Sequence, residues 1–283
     1  MKKLVFVFIF FISYSVHAQT DKVLLIGNTY TFEIKDGTNR SGRLDSTTTL
    51  YYFINNPAIG VDRISKNSVA KIKEIKLNKD GYFANPHYSR YFFGPSALPQ
   101  TKGEFYWNNV LLEYNTIQYG VSDNFSVGVG GFLFNSLSGN VIMLPNAKYS
   151  IKLSDKSHIA LGGLMAIVHI KSSTSLNSAA LPFVVYTYGN SEANLSVGAG
   201  WAHENEQGWA PKPTGFIAGM KRLSRNWVLQ GEAFMFNNAT NNSIYFTTLR
   251  YIRPTSSWDF GAMSFNFEDL KLSLPVVGYT LKF

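Results

Sequence analysis

From about residue 82 to the C-terminus, apolar and polar positions alternate with a period of two, in segments of roughly ten residues divided by turn residues. In "AKYSIKL", Ala147, Tyr149, Ile151 and Leu153 fall on one face, and Lys148, Ser150 and Lys152 on the other. In "ANLSVGAGW", Ala193, Leu195, Val197, Ala199 and Trp201 oppose Asn194, Ser196, Gly198 and Gly200. In "WVLQGEAFM", Trp227, Leu229, Ala233 and Met235 oppose Gln230 and Glu232. Successive strand side chains point to opposite faces, so each segment has one apolar face and one polar or small face. A soluble β-sandwich would alternate in the same way. The connections separate the two folds. Short turns at 122–124, 154–156, 190–192, 224–226 and 255–257 alternate with long ones near 134–140, 171–178, 203–213, 237–243 and 267–274. That puts the long loops at one end, as in an antiparallel transmembrane β-barrel.

Strand direction constrains the count. Eleven segments run from Glu104 to Phe283, and the last runs toward the short-turn end. Bacterial single-chain barrels have even strand numbers with both ends on that side. "YSRYFFGPSALP" (Tyr88–Pro99) supplies a twelfth strand, with "QTKGE" as its loop, although Pro95 is out of place in a strand interior. Ten strands is the alternative, if two segments are one interrupted loop. "VLLEYNTIQYGV" changes phase between Tyr114 and Ile117, which reads as a bulge or a misplaced boundary.

The chain before the barrel follows another pattern. Residues 1–18 have two lysines, an apolar run and Val16-His17-Ala18, the layout of a secretory signal peptide. Residues 19–77 hold five short strand patterns around Asp36-Gly37, with Tyr30, Phe32 and Ile34 on one face. They resemble a small SH3-like or Sm-like β-domain. Residues 78–87 read as a linker, and 88–283 as the barrel.

Composition sharpens the location. With no cysteine, neither a disulfide nor a thiolate metal site can form. Two of the +8 formal charges sit in the leader, leaving +6. For an exported chain, anionic lipids or solutes fit this charge better than nucleic acid does. There are 22 Phe, 16 Tyr and 5 Trp against 16% charged residues, an excess that interfacial aromatic girdles would absorb.

The ending "PVVGYTLKF" alternates Val277, Tyr279, Leu281 and Phe283. With the leader and the barrel pattern, it resembles the outer-membrane β-barrel superfamily of Gram-negative bacteria. "RYFFGPSALP" and "KGE" look like porin-like barrels of this kind. The resemblance implies that these four residues are a signal read by the barrel-assembly machinery. It also implies a cell outer membrane location, with residues 19–77 in the periplasm and outer-membrane lipids as partners.

With the apolar faces outward, the lumen candidates are Glu113, Asn115, Asn146, Lys148, Lys152, Asn194, Gln230, Glu232, Arg250 and Lys282. Buried charges must pair, so Glu232 is expected to meet Arg250 or Lys152. A barrel of about eight strands is filled by side chains, and one of 16–18 holds a channel. Twelve lies between, so a passive pore for small solutes and a plugged scaffold both remain open. His87 and Ser89, two apart on a strand, would share a face as a base–nucleophile pair does in outer-membrane lipid hydrolases or acyltransferases. No third member is evident, and a non-enzymatic barrel is favoured. Loop 203–213 could instead bind a partner. No metal or cofactor is expected: His-x-x-x-His spacing is absent, and "GVGG" (128–131) lacks a following helix.

Overall fold

The computed structural model describes residues 24–56, 59–75, 77–78, 81–171, 176–236, 242–267 and 270–283; the leader read at 1–18 lies outside them. The chain divides into two compact units, Met1–Ile75 and Lys76–Phe283.

In the first unit, β1 (Thr29–Ile34), β2 (Asn39–Thr47), β3 (Tyr51–Asn56), β4 (Gly60–Ser65) and β5 (Val69–Ile75) form an antiparallel sheet. Their order is β4-β3-β2-β1-β5. Tyr30, Phe32 and Ile34 project from one face of β1, as their spacing requires, and pack with Leu44, Ile54 and Ile64. The β1–β2 hairpin turns at Asp36-Gly37, where Gly37 has a φ of +86°. Asp36 Oδ1 accepts the Thr38 hydroxyl at 2.7 Å and its N–H at 2.8 Å. These bonds, the hydroxyl's foremost, favour the ionised carboxylate and lower the Asp36 pKa. A depressed folded-state pKa adds stability above the unfolded pKa, and loses it as pH falls through the folded one. Thr38→Val should therefore raise the Asp36 pKa, as read by an NMR pH titration. An unmoved titration would contradict this account of the turn.

The second unit is a closed antiparallel barrel. Its staves are β6 (Phe105–Val110), β7 (Tyr114–Gly120), β8 (Phe125–Phe132), β9 (Val141–Lys152), β10 (Ser157–His169) and β11 (Leu176–Gly189). They continue with β12 (Ala193–Gly200), β15 (Thr214–Arg222), β16 (Trp227–Phe236), β17 (Ser243–Ile252), β18 (Ser256–Phe267) and β19 (Leu270–Lys282). Two short strands, β13 (His203–Glu204) and β14 (Gly208–Trp209), make a hairpin on the β12–β15 connection. Pairing of β19 with β6, from Gly278↔Val110 to Lys282↔Tyr106, closes the ring at twelve staves and leaves no free edge.

Twelve is the expected number, but the strand assigned to Tyr88–Pro99 is not one of the staves. The missing strand comes from "VLLEYNTIQYGV", which is a hairpin: β6 ends at Val110, residues 111–113 turn, and β7 starts at Tyr114. The phase change was this turn. Nothing in its composition marks it, because the left-handed positions are two leucines, Leu111 (φ 55°) and Leu112 (φ 62°). Neighbours hold it instead. Asn109 Oδ1 accepts the Leu112 N–H at 3.1 Å, and Leu111 N–H donates to Val277 O at 2.9 Å. The long connection expected at 267–274 is also corrected, since β18 and β19 pair as far as Phe267↔Leu270.

Both barrel ends lie at the short-turn end, where Phe283 N–H donates to Phe105 O at 3.0 Å. Aromatics gather on the outer face there. Trp258 meets Tyr279 (ring centroids 4.7 Å apart), Trp227 meets Tyr251 (5.0 Å) and Phe105 meets Phe283 (5.1 Å). Several strands are 12 to 14 residues long, more than the 9–11 or so that cross a bilayer at a tilt. Toward the long-loop end of β18 and β19 the pattern inverts. The outward row becomes polar (Ser264, Asn266, Lys271, Ser273), while the inward row becomes apolar (Ile244, Phe246, Met263, Leu272, Leu274).

Candidate functional site

The lumen has two storeys. On the short-turn side the inward row is polar, and residues 83–100 occupy the interior. That segment cannot be a strand, because Pro86, Gly94, Pro95 and Pro99 interrupt it. It folds on itself, with Tyr91 N–H donating to Gly94 O at 2.8 Å and Ser96 N–H to Ser89 O at 3.2 Å. A peptide without sheet pairing leaves carbonyls and amides to be satisfied, and the barrel wall supplies the partners.

Three charged groups do most of this. Lys148 Nζ donates to the carbonyls of Ser96 (2.7 Å), Ser89 (2.9 Å) and Leu98 (2.9 Å). The Glu232 carboxylate accepts the N–H groups of Gly94 (2.6 Å) and Phe93 (2.9 Å). Arg250 pairs with Asp259 at 2.8 Å across the β17–β18 register, and both are fully buried. The rest of its guanidinium donates to His87 O (2.9 Å) and Tyr91 O (3.3 Å). Neutral groups add to these: Thr187 Oγ1 accepts the Ala97 N–H at 2.7 Å, and the Tyr91 hydroxyl donates to Asn194 Oδ1 at 2.5 Å. Arg222, which pairs with Glu192, donates to Phe83 O at 3.0 Å where the segment meets the short-turn end. Packing is equally close, since a Cβ on Gly94 would overlap the Phe216 ring.

Above this floor lies a cavity of about 170 Å³. Phe93, at the tip of the segment, stacks on Phe246 with centroids 6.0 Å apart and keeps 39% of its surface exposed beneath that space. The cavity wall is mainly aliphatic and aromatic, with Arg90, Gln118, Asn146 and Lys148 on its polar side. Residues 83–100 thus form the floor of this cavity within the lumen.

No protein-family model and no curated protein matches the chain. Among solved structures it is similar to the KdgM porin in complex with disordered oligogalacturonate. That likeness has 9% identity and a TM-score of 0.48, covering 64% of this chain and 98% of that one. It is also similar to the NanC porin, at 10% identity and a TM-score of 0.43, covering 64% of this chain and 99% of that one. Both likenesses are confined to strand architecture.

The candidate residues distribute unevenly around the chamber. Lys148, Asn194, Gln230, Glu232 and Arg250 are buried and inward, and Asn146 lines the cavity. Lys282 sits at the short-turn mouth, paired with Glu104 at 2.5 Å. Three assignments need correction. Asn115 is in phase with the exposed Ile117 and Tyr119, and accepts from the Trp107 indole at 3.2 Å on the outer face. The hairpin turn resets the phase that had placed it inside. Glu113 lies in that turn and accepts the Phe134 N–H at 2.8 Å, at the start of a short helix, α1 (Leu133–Leu137). Lys152 is an exposed rim residue paired with Asp155. Glu232 meets neither Arg250 nor Lys152 as an ion pair; backbone amides take its place.

His87 and Ser89 lie in a turn rather than on a strand face. His87 Nδ1 faces Arg250 Nη2 at 3.2 Å and the Thr280 hydroxyl at 3.3 Å, and Ser89 offers its carbonyl to Lys148. Asp259 was missed by sequence reasoning, although it was legible. Trp258 and Phe260 face outward, so the residue between them must face in.

Proposed function

We propose that the chain is an outer-membrane β-barrel of the porin-like class whose lumen is a closed, gated passage rather than a standing pore. The observation that carries this reading is the docking of residues 83–100 onto Lys148, Glu232 and Arg250 inside the wall. An outward apolar face with an aromatic girdle supports membrane insertion. Short turns face the periplasm in such barrels. Segment 83–100 begins at the short-turn end, which supports a periplasmic position for residues 19–77.

Liposome swelling with a small neutral sugar tests the closure. Vesicles carrying the wild-type barrel should swell no faster than empty ones. Rapid swelling would mean that the segment leaves a through-path, and the gated reading would fail.

The terminal row Val277, Tyr279, Leu281 and Phe283 is proposed as the signal for the barrel-assembly machinery. Phe283 is two-thirds exposed and outward, and its ring packs against that of Phe105. Deleting it should lower the amount of barrel in the outer membrane several-fold, while detergent refolding of the purified chain proceeds. Undiminished surface levels would refute the assignment.

A further inference from the structure

We propose that the chamber above the segment binds an amphiphile with one linear hydrocarbon chain and an anionic head, entering from the long-loop side. This rests on the reading of the lumen as closed at the short-turn end.

The inverted pattern of β18 and β19 is the first observation. Where they rise past the girdled region, polar residues face out and apolar ones face in. A channel for hydrophilic solutes has the opposite lining. Phe93, Leu164, Leu181, Phe183, Phe216 and Phe234 give the cavity an apolar wall from five separate parts of the fold. Each methylene removed from water adds to the affinity, so such a wall selects hydrocarbon.

Arg90 is the second, independent observation. It lines the cavity and is 91% buried by its 9% exposure. Its Nη2 donates to Phe93 O at 2.8 Å and its Nη1 to the Thr116 hydroxyl at 3.4 Å, with the Tyr106 and Tyr114 hydroxyls also against it. Its Nε is buried without a hydrogen-bond partner, and among the described residues no carboxylate forms a direct ion pair with it; the nearby Glu232 feels its charge, but the oxygens of Glu232 accept the Phe93 and Gly94 amides. A buried guanidinium without a directly paired counter-ion is costly. Among the described residues, the buried charge-bearing side chains of the lumen are Arg90, Lys148 and Arg250 against Glu232 and Asp259, three basic groups to two acidic ones. Asp259 is taken by Arg250, and Glu232 by the Phe93 and Gly94 amides. A carboxylate or phosphate head at Arg90 would supply the missing anion, with Gln118 and Asn146 beside it. The chain would then lie along the Phe183 and Phe234 side. A predominantly apolar pocket with a few convergent polar groups is the usual form of a small-molecule site.

The test is calorimetric titration of the folded barrel in nanodiscs, with empty nanodiscs as reference. The titrants are dodecanoate, dodecyl phosphate, butanoate and dodecyltrimethylammonium. The proposal expects saturable one-to-one binding of dodecanoate or dodecyl phosphate, and the tighter of the two identifies the head. Butanoate should bind at least about tenfold more weakly because it lacks eight of the methylenes the apolar wall would bury, and the cationic amphiphile at least about tenfold more weakly because it loses the charge-assisted contact. Arg90→Gln should weaken binding by a similar factor, with partial rescue in Arg90→Lys. Leu181→Trp fills the cavity from β11 without touching Arg90 and should abolish binding in a normally folded barrel. Equal affinity for cationic and anionic heads, no saturable binding, or binding unchanged in both Arg90→Gln and Leu181→Trp would overturn the proposal. Swelling tests closure separately: a leaky wild type that still binds dodecanoate contradicts the gate alone, and a tight one that does not bind contradicts the ligand alone.

Discussion

Arg250→Met and Asp259→Ala should each lower the unfolding free energy of the barrel by about 3–5 kcal/mol, the usual cost of stranding one partner of a buried ion pair. The two face each other directly in the β17–β18 register at 2.8 Å, and neither has any solvent exposure. After Arg250→Met, the Asp259 carboxylate retains Gln230 Nε2 at 2.8 Å as its hydrogen-bond donor. After Asp259→Ala, the guanidinium retains only carbonyls, the Asn85 side chain and the His87 ring. The double variant Arg250→Met/Asp259→Ala removes both charges and should lose clearly less than the sum of the single losses. Urea unfolding from lipid vesicles measures all three. Strict additivity would show that the two side chains do not act as a pair.

Lys148→Met/Glu232→Ala should open the lumen. Together these side chains satisfy three carbonyls and two amides of the internal segment. Each charge-assisted anchor is worth roughly 1.5–3 kcal/mol, so losing both shifts the docked–undocked balance by about 10²- to 10⁴-fold. Barrel pairing is untouched, because both side chains point inward from positions whose backbones are paired on both sides, Lys148 with Gly162 and Ser126, Glu232 with Ala218 and Phe246. Single-channel recordings should show frequent openings in the double variant, against a closed wild type. A double variant as silent as the wild type would favour a permanently sealed scaffold.

Much of the barrel was legible because a lumen and a lipid-like exterior impose period-two alternation, and because short and long connections segregate. The strand total followed from the direction of the last strand, yet the assignment behind it failed at two places for one physical reason. Local sequence signals report local satisfaction. The Leu111–Glu113 turn carries no Gly, Asn or Pro; its left-handed leucines are held by Asn109 and by Val277 on another strand. Residues 88–99 look strand-like in composition, but their backbone bonds to itself and to side chains from remote strands rather than to a neighbouring strand. Pro95 was the signal against a strand. Lumen charges were legible as inward-facing residues wherever alternation held: Lys148, Glu232 and Arg250. Their partners were not, since an ion-pair expectation cannot foresee a peptide segment arriving to take the hydrogen bonds. Arg90 escaped notice because it belongs to that segment.

The central claim is that residues 83–100 sit inside the barrel, with Ala97 N–H on Thr187 Oγ1 at 2.7 Å. The chain has no cysteine, so an Ala97→Cys/Thr187→Cys pair gives an unambiguous readout. Treating outer membranes with a short thiol–thiol cross-linker and mapping the product by mass spectrometry measures the contact directly. The structure predicts nearly complete cross-linking of positions 97 and 187 and poor labelling of either thiol by a bulky water-soluble maleimide. Two free thiols that label readily would place the segment outside the lumen and contradict the account.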